Sequence, residues 1–128
     1  MKDYYKIVRS KLVNQGFTSR YIHTLGVIEE AKKLAALYKQ DLEDAELAAL
    51  FHDFFRHDSF DDIKIYLTNN EIFKYKNQPI IYHAIAASRY VEKHLKPTNK
   101  DIILAIRNHV WGRPNMTTLE IILIIAEE

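Results

Sequence analysis

Residues Glu46 to Asp58 read ELAALFHDFFRHD. The helix predicted here starts from Asp41 as N-cap and runs to about Phe55, and past its first turn it is apolar on nearly every side. Such a helix belongs at the centre of a fold, covered by other helices. Yet it carries His52 and Asp53. An ionised carboxylate in apolar surroundings is costly unless it is paired or coordinates a metal, so something cationic is expected beside Asp53. A salt bridge to Arg20 or Arg56 would satisfy it, and so would a metal ion. The second pair, His57 and Asp58, falls in the polar run RHDSFDD, where water is expected to solvate it and where it would at most cap the next helix.

Working outward, three glycines and three prolines punctuate the chain and little β-type alternation is present, so the pattern is all-α. A first helix is expected over about Asp3 to Asn14, ending at Gly16, and a second follows Thr18-Ser19 with apolar residues from Tyr21 to Tyr38 at helical spacing. DDIKIYL makes a short helix, and a polar connection is expected from Asn69-Asn70 to Pro79, which is placed as a first-turn proline. The next helix runs to about Leu95 and stops before Pro97. Thr98 with Asp101 resembles a capping box for a helix through His109 and Val110. Thr117 with Glu120 forms another, opening LEIILIIAEE, although Ile121 to Ala126 would also suit a buried strand by periodicity alone.

Composition narrows the class. A chain of 128 residues, 48% hydrophobic and without repeats or linker, reads as one domain over residues 1–128. Eighteen basic and seventeen acidic residues leave no electrostatic footprint for nucleic acid. No apolar run approaches the roughly 20 residues of a membrane span, and the charged start MKDYYKIVRSKLV lacks a signal-peptide core. With no cysteine, disulfides, thiolate zinc sites and cysteine nucleophiles are excluded, and a reducing cytoplasm suits the composition. Any metal has to be held by imidazole and carboxylate, a donor set that suits iron, manganese, nickel or zinc.

Four histidines point inward at helical spacing. His23 lies at the edge of an apolar arc near Val27, and His52 lies on the strip of Ala45, Ala48 and Ala49. His83 borders the Ile80, Ala84, Ala87, Val91 stripe, and His109 follows Ile102, Ala105 and Ile106. Any one of them alone reads as a hydrogen-bonded core residue, but four together with Asp53 favour a metal cluster. His94, near a helix C-terminus, needs no further role.

The stretches RYIHTLGVIEEAKKLA, DAELAALFHDF, PIIYHAIAA and AIRNHVWGRPNMTTLEIILIIAE resemble, in order, the HD-domain metal-dependent phosphohydrolases. Within them they are most similar to the YqeK-type branch, the symmetrical diadenosine tetraphosphate hydrolases. The resemblance implies an HD-domain helical bundle and a two-metal site, iron in that family, with Asp53 bridging. His23, His52 and the late carboxylate Glu127 would hold one ion, and His83 with His109 the other. His52 and Asp53 would carry catalysis, and Arg20, Arg56 and Arg113 stand where the family has basic residues that contact substrate phosphate. Two such ions can generate a hydroxide near neutral pH and neutralise charge during in-line attack, giving two ADP from diadenosine tetraphosphate.

The sequence departs from the family at two points. Glu127 stands where an aspartate is usual, one methylene longer, so the carboxylate has to fold back or the metal to shift. The helices that follow in the family are expected to be missing after Glu128. Their absence would leave apolar surface open, which invites a homodimer, and would make a catalytically weak or inactive nucleotide- or metal-binding module the alternative to a hydrolase.

Overall fold

The computed structural model describes all 128 residues. Eight α-helices and one 3₁₀ turn account for its regular structure, and there is no strand, so the all-α reading holds. In chain order they are α1 (Lys2–Asn14), α2 (Thr18–Leu37), α3 (Leu42–Phe51), α4 (Phe60–Ile63) running into the 3₁₀ turn Lys64–Tyr66, α5 (Asn69–Lys74), α6 (Ile80–His94), α7 (Asp101–Asn108) and α8 (Thr118–Glu127). No helix is long and apolar enough to cross a membrane.

α3 is the centre, as its composition requires. Every residue from Leu47 to Phe51 is buried, and α1, α2, α7 and α8 pack against it. Ala45, Ala48 and Ala49 let those neighbours come close, while Phe51, Leu50, Ile106, Ile122 and Leu123 fill the space between helices. Asp41 caps α3, its carboxylate accepting from the Asp44 amide at 3.0 Å.

The expected end of this helix at Phe55 is corrected to Phe51. Beyond it the chain tightens into a run of turns, in which the amides of Phe54, Arg56 and Asp58 donate to the carbonyls of Phe51, Asp53 and Phe55, each at 3.1 Å. Phe54 and Phe55 stay buried in these turns, so the apolar run continues after the helix has stopped and hydrophobicity hides the boundary. The HD pair therefore sits just past a helix C-terminus.

Other expectations also shift. The polar connection after Thr68 contains α5, opened by a complete capping box between Thr68 and Glu71. Thr98 does not cap α7; Asn99 takes that part, its side-chain oxygen accepting from the Asp101 amide while its nitrogen donates to Asp44 at the start of α3. Thr117 and Glu120 do form a box, and the segment after them is a helix and not a strand. Asp58 is not left to water: Lys11 pairs with it and Gln15 donates to it at 3.1 Å, fastening α1 to the turns after α3. His57 stacks on Phe17 with ring centres 3.9 Å apart, and Ser59 is the residue that caps α4.

Glu71 joins the short helices to the long ones. Its two oxygens accept from both terminal nitrogens of Arg89 on α6, at 2.5 and 2.7 Å, and Arg107 on α7 adds a third bond at 3.0 Å. Burial alone would push this carboxyl up, but the Arg89 pair, the Thr68 amide and Arg107 outweigh it and bring it from 4.5 down to about 2. A folded-state value depressed in this way adds stability that is present above about pH 4.5 and is lost as pH falls towards 2. Both arginines are about a third exposed, so screening reduces the contribution to about 1–2 kcal/mol. Glu71→Gln is expected to lower unfolding free energy by about that amount at pH 7. The gap between variant and wild type should close as the pH drops from 4.5 to 2 in paired urea titrations, and a constant gap would show that the charge is not what matters.

Candidate metal centre

Three helices end at the same place. His52 is the C-cap of α3, His109 is the C-cap of α7, and Glu127 is the last residue of α8. The side of α2 closes the group with His23 and, one turn earlier, Arg20. Helix C-termini carry partial negative charge, so the ends of α3 and α7 pointed at one spot favour a cation there.

The two capping histidines are held in the same way. The Nδ1 of His52 lies 2.5 Å from the Ala49 carbonyl and the Nδ1 of His109 lies 2.6 Å from the Ile106 carbonyl, in each case three residues back. A carbonyl can only accept, so Nδ1 carries the proton and donates, leaving Nε2 as the atom that faces the cluster. These carbonyls lie at helix ends, where the regular bonding pattern leaves acceptors over. Helix termination thus orients the imidazoles, as outer-shell partners do for metal-ligating histidines.

Around those nitrogens the carboxylates are close. His52 Nε2 is 2.9 Å from Glu127 Oε1 and 3.5 Å from Asp53 Oδ2. His109 Nε2 is 3.8 Å from Glu127 Oε1 and 4.0 Å from Asp53 Oδ1. His23 Nε2 is 3.4 Å from the other Glu127 oxygen. Two trios, His23 with His52 and Asp53, and Asp53 with His109 and Glu127, each bring their ligand atoms within 4.8 Å of one another. Asp53 belongs to both.

The residues fit a metal on one further observation. His52 Nε2 is buried and has no hydrogen-bond partner, although Glu127 Oε1 stands 2.9 Å away. An orphaned imidazole nitrogen aimed into a group of carboxylate oxygens is a ligand atom without its partner, and the nitrogen-oxygen donor set is one that borderline divalent metals accept.

Electrostatics keep the oxygens charged. Burial pushes Asp53 up, but His52 and Arg20 outweigh it and its pKa is lowered. Glu127 shows the same balance, burial against His52 and His109, and falls to about 2. Burial and the neighbouring His52 bring His109 down to about 4, so it is neutral at physiological pH, the form that binds metal. His52 goes the other way: burial lowers it, but Glu127 and Asp53 prevail and raise it.

The remaining expected site residues divide. Arg20 donates to Asp53 Oδ2 as an ion pair, and Arg56 Nη1 stands 3.9 Å from Oδ1. Arg56 also lines a cleft of about 300 Å³ with Ile80, His109, Val110, Ile124 and Glu127. His83 is not part of either trio: its Nε2 lies 3.3 Å from the Asp58 carbonyl, and its buried Nδ1 has no partner. Arg113 is occupied elsewhere, donating through Nε and Nη2 to the two oxygens of Glu120 at 3.0 and 2.8 Å.

Glu120 is the residue sequence reasoning passed over. It is fully buried, completes the cap of α8, and accepts from Arg113 and from Asn108, the residue before His109. Two turns further along the same face of α8 is Glu127. One carboxylate therefore fixes both the end of α7 and the rotation of α8. Its position in the Thr117 capping box was legible; its burial was not. Gly112, at φ +72°, lets the intervening loop turn back, and a Cβ there would meet the Met116 sulfur at 3.1 Å.

An all-α bundle that gathers imidazoles and carboxylates at one place has the donor set of a helical metal-binding domain. The HD domain family matches residues 20–127, and the chain belongs to it. It is 38% identical over 112 residues to the symmetrical bis(5′-nucleosyl)-tetraphosphatase of Halalkalibacterium halodurans, and 34% over 110 residues to that of Bacillus subtilis. Both alignments cover 84% of this chain and 59% of the relative, so the chain spans about three-fifths of those relatives' length. Among solved structures it superposes, with a TM-score of 0.82 and 28% identity, on a Clostridium acetobutylicum protein described as a predicted HD superfamily hydrolase involved in NAD metabolism, covering 98% of this chain and 66% of that one.

Removing the Glu120 carboxylate would leave a buried gap at the start of α8 and take a partner from Asn108 and from Arg113, whose guanidinium water can reach. Glu120→Ala is expected to cost about 1–3 kcal/mol in urea unfolding, through the lost cap and the Asn108 bond. A loss below about 1 kcal/mol would show that the loop and α8 hold together without it.

Proposed function

We propose that the chain is a metal-dependent phosphohydrolase acting on dinucleoside polyphosphates, with diadenosine tetraphosphate and its cleavage to two ADP as the leading reaction. The observation that carries this reading is the pair of ligand trios sharing Asp53, whose two oxygens turn toward different histidines. Asp53 would be the residue that two metal sites have in common. His23, His52 and Asp53 would hold one ion and Asp53, His109 and Glu127 the other; His83, which faces the Asp58 carbonyl, would join the second only by leaving it. Iron is the leading metal, with manganese, nickel and zinc compatible with the same donors. When bound, the metal supplies an activated water at neutral pH and positive charge against the phosphoryl oxygens.

The chain's own residues do the rest. The Ala49 and Ile106 carbonyls keep His52 and His109 presenting Nε2, so neither ring has to reorganise. Arg56, at the rim of the cleft, would take phosphate oxygens and hold the tetraphosphate in register. Arg20 lies close enough to Asp53 to serve the same chain of phosphates, whereas Arg113 would serve by anchoring the loop behind α8. The named activity of the Halalkalibacterium and Bacillus relatives supports this substrate class.

The test is direct. Protein loaded with Fe²⁺ or Mn²⁺ is incubated with diadenosine tetraphosphate and the products are separated by chromatography. ADP is expected as the main product, and His52→Ala and Asp53→Asn should lose bound metal and at least about 100-fold in turnover together. Full metal content in His52→Ala would overturn the site assignment. Metal-loaded protein that binds ADP but leaves the tetraphosphate intact would replace the hydrolase with a nucleotide-binding module.

A further inference from the structure

We infer that Arg20 and the metal are alternative partners of the same Asp53 oxygen, so that metal binding releases the Arg20 guanidinium for a phosphate of the substrate; this rests on the metal-dependent reading above. Arg20 pairs with Oδ2, which is also the Asp53 oxygen that faces His52 Nε2 at 3.5 Å. A metal ligated through Oδ2 would draw on the same negative charge that holds the guanidinium and would weaken the single hydrogen bond Arg20 makes there. The two cations would also repel at a separation of a few ångströms in a buried setting.

Arg20 is poorly held where it stands. Only Nη2 bonds the carboxylate, although a guanidinium usually grips one with two parallel bonds. Its Nε is buried without any partner, which is a standing cost of this conformation. The backbone is firm by contrast: the Arg20 amide donates to the Phe17 carbonyl at 2.9 Å, and the Thr24 hydroxyl donates to the Arg20 carbonyl at 2.9 Å. Only the side chain has to move. Asp53 would not be left uncompensated, since Arg56 remains 3.9 Å from its other oxygen. A phosphate group offers Arg20 what Asp53 does not, several oxygens for the whole fork.

In the metal-free chain Arg20 would thus keep the buried carboxylate paired; in the loaded one it becomes a substrate contact. Removing it should change two affinities in opposite directions. Calorimetry on the full chain with Mn²⁺ as probe is expected to show Arg20→Gln binding the metal about three- to tenfold tighter than wild type, because a competing charge is gone. With Mn²⁺ in place, inorganic tripolyphosphate should bind the same variant about tenfold more weakly. Arg20→Lys, which keeps the charge but loses the fork, should fall between wild type and Arg20→Gln for Mn²⁺. Unchanged or weaker Mn²⁺ binding in folded Arg20→Gln or Arg20→Lys would overturn the exchange, since a purely structural arginine predicts only loss. A wild-type chain that binds no Mn²⁺, Fe²⁺ or Zn²⁺ would overturn the metal-dependent reading itself, and this inference with it.

Discussion

Asp53 is a carboxylate that the fold buries to 4% exposure beside its most apolar helix, and much of the surrounding structure answers that one charge. Left alone it would cost several kcal/mol and would take up a proton instead. Its surroundings lower its pKa all the same, with His52 and Arg20 as the leading contributors and His109 behind them. Arg20 comes from α2, His52 from the end of α3 and His109 from the end of α7, so the charge is balanced by three elements that are far apart in the chain. The bundle and the site are therefore one problem. Bringing α2, α7 and α8 onto α3 buries the core and places the partners of Asp53 in the same step.

Helix ends carry the chemistry. A histidine inside a helix would spend its backbone in the regular bonding and its side chain on a neighbouring face; at a C-cap it finds free carbonyls to donate to. His52 and His109 both use this, and both are thereby aimed inward by their own helices. The Glu120 clamp works on the same ends from behind, holding Asn108 next to His109 and setting the turn of α8 that carries Glu127. Glu127 reaches three histidines from α8: Oε1 stands beside His52 and His109, and Oε2 faces His23.

What the sequence reveals follows from which forces are local. Seven of the eight helices and the central place of α3 are written in apolar spacing and in the Thr117 and Asp41 caps, all of which act within a few residues. The demand of Asp53 for a cation is likewise local chemistry, and it leads to the right neighbourhood. It cannot choose between arginine and metal, because both meet the same electrostatic need; the structure places Arg20 on one oxygen and leaves His52 Nε2 without a bond. The end of α3, the part played by Asn99, the Lys11 partner of Asp58 and the Glu71 hub were not legible. The last three depend on contacts between segments far apart in the chain, 55 positions for Asn99 and Asp44 and 47 for Lys11 and Asp58, whereas the end of α3 is hidden by an apolar run that continues through Phe55. α5 is a different case, since Thr68 and Glu71 spell out its cap within four residues.

The balance of charge also separates the two clusters that hold the bundle together. Glu71 meets two arginines and is saturated, with both oxygens bonded and no cation required, so it stabilises and does nothing more. At Asp53 and Glu127 the partners are imidazoles, an arginine held by one nitrogen and an arginine standing 3.9 Å away. Such partners can be exchanged at small cost, because each pairing is incomplete. A carboxylate gripped by a full guanidinium fork is a structural fastening; one held loosely by several weaker donors is open to a better cation. Of these acidic clusters, only the one around Asp53 and Glu127 brings several imidazoles to its carboxylates, which is the chemistry of a site.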